Sequence, residues 1–231
     1  MPLKEYKKKR HFAATPEPAG ESAQQIKPRP QLIYVVQKHR ASHLHYDFRL
    51  EWKGVLLSWA VPKGPSLDPS IKRLAMQVED HPVEYADFEG VIPESEYGGG
   101  TVMVWDQGSW APEQPDVDAA LKKGDLKFTL QGKKLKGSWV LVRTRGFGSK
   151  PSWLLIKHRD QYADAKDIAE EEPFSIVSRR LLADIAREGR GNVEKAATGD
   201  PAVKPKSGRR AKSGPGDTAA KPKRTKRAKA S

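Results

Sequence analysis

The chain contains no cysteine among its 231 residues. It therefore cannot form a disulfide, a thiolate zinc site or a thiol nucleophile, and a bound metal would have to use imidazole nitrogens and carboxylate oxygens. Long apolar runs are also missing: no segment approaches the length that spans a bilayer, and the amino terminus lacks the apolar core of a signal peptide. These absences predict a soluble, cytoplasmic protein with no membrane partner.

Acidic and aromatic residues are scarce at the carboxyl end of the chain. Residues 191–231 contain twelve lysines and arginines, three acidic residues and no aromatic residue, so they carry +9 of the formal net charge of +13. A segment of this composition buries too little apolar surface to offset its ordering entropy, and we expect a disordered tail. Basic tails are typical of proteins that bind nucleic acid, because neutralising phosphates releases counterions. The other interpretation is a tail that only keeps the protein in solution.

Helical periodicity is rare in the central part of the chain, where short β-branched and aromatic runs alternate with turn residues. These runs predict strands at 32–36, 43–50, 55–61, 73–79, 101–106, 125–130, 137–143 and 152–157. Short strands without alternating helices indicate a mainly β fold, a compact antiparallel β-barrel or a rolled sheet around the core. We expect a few short helices, at 116–123 and within 174–190, and we assign the tryptophans to core and rim packing.

These patterns divide the chain into four predicted segments. A basic amino-terminal arm, 1–30, contains prolines that disfavour regular structure, so it must lie across another element to be ordered. The barrel domain is expected at 31–165, a linker and terminal helix at 166–190, and the disordered Lys/Arg-rich tail at 191–231.

One histidine-rich stretch, residues 37–50, is the centre of the functional prediction. If it is extended, alternate side chains point to opposite faces, so one face can be buried while the other does chemistry. The polar face would hold His43, His45, Asp47 and Arg49, and the apolar face Leu44, Tyr46, Phe48 and Leu50. Two imidazoles and a carboxylate suit manganese, zinc or iron, and an arginine beside them can bind an anion. The plainer interpretation is a surface ion pair between Asp47 and Arg49.

A second polar cluster, at 79–85, follows the end of a predicted strand and contains Glu79, His81 and Tyr85. Together with the basic residues Arg49, Lys63 and Arg73, the two clusters suggest phosphoryl chemistry. A metal would polarise the phosphate or activate water, and fixed cations would stabilise the developing charge. His81 would protonate the leaving oxygen or join the metal.

The same residues allow another enzyme class. His45 and Asp47 with His81 downstream fit the H-x-D…H pattern of iron oxygenases. An oxygenase, however, would not need Arg49 on the same strand face.

Several longer runs resemble the 3′-phosphoesterase module of bacterial DNA ligase D. They are QKHRASHLHYDFRL at 37–50, WAVPKGP at 59–65, EDHPVEY at 79–85, FEGVIP at 88–93 and EYGGG at 96–100. Runs of this length are far more specific than a single short motif, and the resemblance covers about residues 6 to 165.

The resemblance implies a manganese-dependent enzyme, with other divalent metals as alternatives. It would remove a 3′-terminal ribonucleoside by phosphodiester cleavage and then the resulting 3′-phosphate, leaving a 3′-hydroxyl for nonhomologous end joining. Its substrates would be DNA 3′ ends, and a Ku-like protein and an ATP-dependent DNA ligase are the expected partners.

The resemblance also implies roles by motif position. The implied metal ligands are His39, His45 and Asp47, so that His39 takes the place that strand alternation assigns to His43. The implied catalytic residues are His81, Arg49, Tyr85 and Glu79. The first three of these would also bind the scissile phosphate, together with Lys63, Arg73, Gln37 and Arg10.

The chain departs from the family pattern in two places. The family's arm usually reads Arg-Asp-Phe where this chain has Arg10-His11-Phe12, so only Arg10 is carried over. No polymerase or ligase domain accompanies the module in this sequence, and we expect a free-standing version whose basic tail supplies DNA affinity. The alternative from another class is a noncatalytic DNA-end-binding protein, which would keep its function without His45 or Asp47.

Overall fold

The computed structural model describes residues 3–20, 29–144 and 152–202. The strands are β1 Leu32–Arg40, β2 Leu44–Trp52, β3 Val55–Val61, β4 Arg73–Gln77, β5 Gly90–Ile92, β6 Gly100–Pro112, β7 Asp125–Gly132, β8 Lys136–Arg143 and β9 Ser152–Lys157. The helices are α1 Lys4–Lys8, α2 Val117–Lys123, α3 Ile168–Glu171, α4 Leu182–Glu188 and α5 Val193–Ala197, with a 3₁₀ helix at Val83–Asp87. In the described ranges, no helix has the length and apolar character needed to cross a membrane.

The strands form one antiparallel sheet that closes on itself. Their order is β1-β2-β3-β4-β9-β8-β7-β6, and β6 pairs with β1, so eight strands complete the barrel. The short strand β5 pairs with the beginning of β6, and β7 pairs with its end. Closure removes the exposed strand edges that an open sheet would present. The expected mainly β barrel with a few short helices is confirmed.

Aromatic side chains fill the barrel interior. On β2, Tyr46, Phe48 and Leu50 point inward, and Trp59 of β3 packs against Phe48 with ring centroids 6.5 Å apart. The assignment of tryptophans to the core is confirmed for the five that are buried: Trp59, Trp105, Trp110, Trp139 and Trp153.

A smaller apolar cluster covers the outside of the barrel wall. It joins Tyr6 of α1, Val35 of β1, Leu56 of β3 and Tyr85 of the 3₁₀ helix. Tyr6 is fully buried, and its hydroxyl donates to the carbonyl oxygen of Pro18 at 2.6 Å, which ties the arm together. The arm therefore lies across the outer face of the first strands, and this face is buried as well as the inner one.

The chain after the barrel also packs back onto it. Arg40 Nε donates to Thr198 Oγ1 at 2.7 Å, and Lys195 Nζ lies 2.7 Å from a carboxylate oxygen of Glu94. Helix α5 lies in the range predicted as disordered tail, so that prediction is wrong for its first residues. A five-residue helix whose one buried side chain is Ala196 has no readable periodicity. Residues from 203 onward lie outside the described ranges, and the remaining segment boundaries stay predictions.

Candidate metal and phosphate site

The outer faces of β1 and β2 form the floor of a cleft of about 300 Å³. The arm, the residues after β4, the 3₁₀ helix and the loop before β6 supply its walls. Its lining includes Arg10, His39, His45, Asp47, Arg49, Glu79, His81, Tyr85 and Tyr97. Most of the residues that the sequence singled out are thus brought to one place.

His39 and His45 face each other across the β1–β2 pair, with ring centroids 4.8 Å apart. Asp47 follows on the same face, and its Oδ2 lies 3.6 Å from both His39 Nδ1 and His45 Nε2. Ligands about 2.1 Å from a tetrahedral metal lie about 3.4 Å from one another, close to the two distances from Asp47. One ligand atom of each of the three residues lies within 4.8 Å of the others. Two imidazoles and a carboxylate fit a divalent metal such as manganese, zinc or iron.

Each of these histidines uses its other ring nitrogen for a bond that fixes its orientation. His39 Nε2 lies 2.9 Å from the carbonyl oxygen of Gly98, and His45 Nδ1 lies 3.0 Å from that of His43. We assign the ring protons to these nitrogens, which leaves His39 Nδ1 and His45 Nε2 free on the side of Asp47. Metal-binding histidines are commonly held in this way. Gly98 has a φ of +79°, a conformation that glycine adopts without strain.

For Asp47 and His39, the electrostatics favour the protonation states that a metal requires. Burial alone would raise the pKa of Asp47, but Arg49 and the two histidines outweigh it and hold this pKa well below its ordinary value. Burial lowers the pKa of His39, and Asp47 offsets this only in part. A carboxylate with a neutral imidazole is the form in which both groups bind metals. His45 differs, because Asp47 outweighs burial and raises its pKa.

Three sequence interpretations do not hold. His43 was expected on the polar face, but β2 begins at Leu44 and the His43 side chain is exposed. The surface ion pair is wrong as well, because Asp47 and Arg49 are both buried. The oxygenase pattern finds no support in the described residues, since the group that can hold a metal does not include His81.

Arg49 is held rigidly beside the metal-binding group. Its Nη2 lies 3.1 Å from Asp47 Oδ2, its Nε donates to Gln37 Oε1 at 2.9 Å, and its Nη1 donates to Ser58 Oγ at 2.8 Å. Gln37 is fixed in turn, because its amide donates to the carbonyl oxygens of Tyr85 and Phe88. A guanidinium immobilised in this way is prepared to bind an anion without reorganising.

His81 lies between two arginines. Its Nε2 is 3.2 Å from Arg10 Nη2, and its Nδ1 is 2.9 Å from Arg49 Nη1 and 2.9 Å from the carbonyl oxygen of Glu79. Burial and then the two guanidinium groups hold the pKa of His81 well below its ordinary value. The imidazole is therefore neutral, and we assign its proton to Nδ1, which donates to Glu79. Two buried guanidinium groups, each also paired with a carboxylate, thus flank a neutral imidazole and offer donors to an anion.

The arm contributes residues that the sequence did not single out. Glu17 is buried; its Oε1 lies 2.9 Å from Arg10 Nε and accepts a hydrogen bond from the Tyr85 hydroxyl at 2.9 Å. Its Oε2 accepts from Thr15 Oγ1 at 2.9 Å. The one signal in the sequence is an acidic residue between two prolines in a basic arm. That signal is weak, because nothing in it indicates which distant groups Glu17 meets.

Glu79 joins the arm to the cleft, whereas two predicted cations lie elsewhere. The Glu79 carboxylate lies 2.9 Å from Lys9 Nζ and 3.5 Å from Arg10 Nη1. Lys63 is exposed after β3 and Arg73 lies at the start of β4, and neither lines the cleft. Their roles in phosphate binding stay predictions. His11, where the family pattern has an aspartate, is exposed, with Nδ1 3.2 Å from Glu96 Oε2.

Comparison with known proteins agrees with the resemblance seen in the sequence. Residues 37–143 match the family described as DNA Ligase D 3′-phosphoesterase domain.

Three curated relatives carry similar names. The chain is 52% identical over 214 residues to the multifunctional non-homologous end joining protein LigD of Pseudomonas aeruginosa, covering 90% of the chain and 24% of that protein. It is 40% identical over 159 residues to the multifunctional non-homologous end joining DNA repair protein LigD of Mycobacterium tuberculosis, covering 69% of the chain and 20% of that protein. It is 38% identical over 164 residues to the LigD protein of Mycolicibacterium smegmatis, covering 69% and 21%. The chain thus spans a quarter or less of the length of these relatives.

Proposed function

The chain belongs to the DNA ligase D 3′-phosphoesterase domain family, and from that premise we propose that it is a metal-dependent hydrolase that heals DNA 3′ ends. It would remove a 3′-terminal ribonucleoside and then the remaining 3′-phosphate. The product, a 3′-hydroxyl, is the group that an ATP-dependent DNA ligase needs in nonhomologous end joining. The observation that carries the proposal is the buried Arg49, which contacts both Asp47 of the metal-binding group and His81.

His39, His45 and Asp47 would hold the metal, for which we propose Mn²⁺. When bound, a divalent metal would act as a Lewis acid on the phosphate or on the attacking water. Arg49, fixed by Gln37 and Asp47, would bind a non-bridging phosphate oxygen and stabilise the charge that develops there.

His81 would serve as the proton donor to the leaving oxygen. In the free protein it is neutral, because burial and two arginines disfavour its charged form. A bound phosphate would place negative charge among the same groups and so raise the proton affinity of Nε2. Arg10, 3.2 Å from that nitrogen, would bind the phosphate and keep it next to His81.

Tyr85 and Glu79 would hold neighbouring residues in place rather than take part in proton transfer. The Tyr85 hydroxyl donates to Glu17, so it reaches a phosphate only if that bond is exchanged. Glu79 anchors Lys9 and Arg10 of the arm over the cleft. Lys63 and Arg73, which lie outside the cleft, would contact the DNA strand rather than the scissile phosphate. A Ku-like protein would be a partner that brings the DNA end to the enzyme.

The test uses a primer–template with a single 3′-terminal ribonucleotide, incubated with and without Mn²⁺. We expect manganese-dependent shortening, first to a 3′-phosphate and then to a 3′-hydroxyl. Loss of a residue that only hydrogen-bonds to a metal ligand lowers activity by up to about 100-fold. His45→Ala removes a ligand itself and should lower the rate by more than this. His43→Ala is the matched control: it removes a nearby exposed imidazole, and the backbone carbonyl that His45 uses remains.

A primer that is bound but not shortened would favour the alternative function, a noncatalytic DNA-end-binding protein. If the primer stayed intact in manganese while the protein still shifted the DNA in a gel, catalysis on this substrate would be rejected. Equal activity of His45→Ala and His43→Ala would reject the metal site instead.

A further inference from the structure

Tyr97 belongs neither to the metal-binding group nor to the residues proposed to bind the phosphate. Its side chain is 49% exposed, yet it lines the same cleft as His39 and His81. The other large apolar side chains that are strongly exposed in the described ranges do not line this cleft; they are Leu74, Tyr162, Phe174 and Val177. Tyr97 is therefore an exposed aromatic residue that lines the polar cleft.

The ring is carried by an ordered loop. Glu96 N–H donates to the carbonyl oxygen of Pro93 at 2.9 Å, and Gly99 N–H donates to that of Glu96 at 3.0 Å. Gly98, the residue directly after Tyr97, accepts the hydrogen bond from His39 at its carbonyl oxygen. Two consecutive residues of the loop thus orient a metal-binding histidine and present an aromatic ring.

Two cations of the arm lie beside the ring. Lys9 Nζ is 4.7 Å from the ring centroid and donates to the Tyr97 hydroxyl at 3.4 Å. The Arg10 guanidinium carbon is 5.8 Å from the same centroid. The residue is 49% exposed despite these neighbours, so much of it remains accessible to a ligand.

We propose that Tyr97 is a stacking platform for the base of the terminal ribonucleoside, the one that is released. This inference rests on the proposed function and names a subsite for it. An exposed aromatic face beside a phosphate pocket is the arrangement that stacks a nucleobase, and cations along the ring attract the adjoining backbone.

The position of Arg10 is our reason for placing the terminal base, rather than the preceding base, on Tyr97. Arg10 contacts His81 at 3.2 Å, and its guanidinium carbon lies 5.8 Å from the Tyr97 ring centroid, so one cation links the ring with the proposed proton donor. The leaving oxygen, and hence the leaving nucleoside, must point toward this donor. Because every base has a π face, the platform should accept all four bases alike.

The two reactions separate this role from a structural one. A primer that ends in a ribonucleotide has a base for Tyr97, whereas a primer that ends in a 3′-phosphate has no nucleoside beyond the phosphate. Tyr97→Ala should lower kcat/KM for ribonucleoside removal by about tenfold, mainly through KM. Removal of a 3′-phosphate should change less than about twofold. Tyr97→Phe, which keeps the ring, should retain both activities.

Tyr162→Ala is the matched control, since Tyr162 is similarly exposed, at 42%, and does not line the cleft. A primer ending in an abasic ribose gives a second control on the substrate. It should be processed by the wild-type protein as slowly as Tyr97→Ala processes the normal ribonucleotide, and Tyr97→Ala should show no further loss.

Equal losses of both reactions in Tyr97→Ala would overturn the proposal, because they would mean that the loop only positions Gly98 and His39. Unchanged ribonucleoside removal would overturn it as well. If the wild-type protein processed neither primer, the proposed function would fail. Base stacking on Tyr97 would then be tested separately, by measuring DNA binding. Wild-type protein in EDTA should then bind the primer with a terminal base more tightly than the abasic one, and Tyr97→Ala should bind both equally.

Discussion

The inner and the outer face of β2 are equally buried, yet they are built from different kinds of residue. Phe48 points into the barrel and is fully buried, while its neighbour Arg49 points outward and is 2% exposed. The inner face is apolar and needs only volume and shape to be stable. The outer face buries charged groups, and each of them needs a partner of opposite charge or a hydrogen bond.

The difference teaches how one strand serves two purposes. The side-chain alternation of a strand places core and site on opposite sides of one backbone, so the rigid core fixes the site residues. The outer face can tolerate its charges because they are paired: Arg49 lies 3.1 Å from Asp47 and donates to Gln37, and Arg10 of the covering arm pairs with Glu17 of the same arm. An inner variant should therefore affect stability through a cavity, and an outer one through an unpaired charge.

The largest effect on the free energy of unfolding is expected inside the barrel. Phe48→Ala removes a fully buried ring that packs on Trp59 and Phe128, so we expect a loss of about 3–5 kcal/mol. Urea unfolding followed by tryptophan fluorescence measures it. Leu74→Ala, at an exposed position of β4, is the control and should change stability by less than about 1 kcal/mol. Similar losses in both variants would contradict the separation of inner core and surface.

The next largest effect is expected in the arm. Glu17→Ala leaves Arg10 without its buried carboxylate and Tyr85 without its acceptor, so the loss should be about 3 kcal/mol. Glu17→Gln keeps an acceptor and should lose less. Glu5→Ala, at an exposed position of the same arm, is the control for the same urea titration. A Glu17→Ala variant as stable as Glu5→Ala would show that the outer face does not depend on charge pairing.

Acidification should also distinguish the two faces. The pKa of His81 is held well below 6.5 in the folded protein by burial, Arg49 and Arg10. Below about pH 6.5 the unfolded chain therefore binds a proton that the folded chain does not. The free energy of unfolding then decreases as the pH is lowered, by up to about 1.4 kcal/mol per pH unit for one group. Unfolding of the EDTA-treated protein between pH 7 and 5 measures this slope. His81→Asn should flatten it; a slope in this variant as steep as that of the wild-type protein would contradict the buried neutral imidazole.

The smallest effect is expected at the rim. Lys195 pairs with Glu94 through an ion pair whose carboxylate is largely exposed, so Lys195→Ala should cost less than about 1 kcal/mol. Lys53→Ala, which breaks the exposed pair with Asp118, gives the reference value. A loss for Lys195→Ala as large as that for Glu17→Ala would mean that the segment after the barrel stabilises the fold as strongly as the arm does.

Much of the barrel was readable from local pattern. Period-two alternation around Phe48 and Trp59 marks strands whatever their partners are, and the predicted helix at 116–123 has an Asp116 side chain as its amino-terminal cap. The predicted strand at 43–50 was wrong by one residue at its start, since β2 begins at Leu44. That single residue removed His43 from the polar face, because alternation applies only within the strand.

The metal-binding group shows the limit of local reasoning. His39 could be chosen over His43 only by resemblance to a family, since the two lie on different sides of a turn. In the fold, the register of β1 with β2 sets His39 opposite His45, and this pairing is a property of two strands together. Glu17 was even less predictable from local sequence. It contacts Arg10 and Tyr85 only because an irregular arm, which has no periodicity, folds across the barrel.

The order of residues thus suffices for the strand pattern, for the excess of positive charge and for the kinds of metal ligand available, because these depend on composition and near neighbours. Which histidines converge, which acid neutralises the buried Arg10 and which aromatic ring lines the cleft depend on the closed barrel and the arm laid over it. The physical reason is distance: such contacts join segments far apart in the chain, and only barrel closure and burial bring their side chains within bonding range.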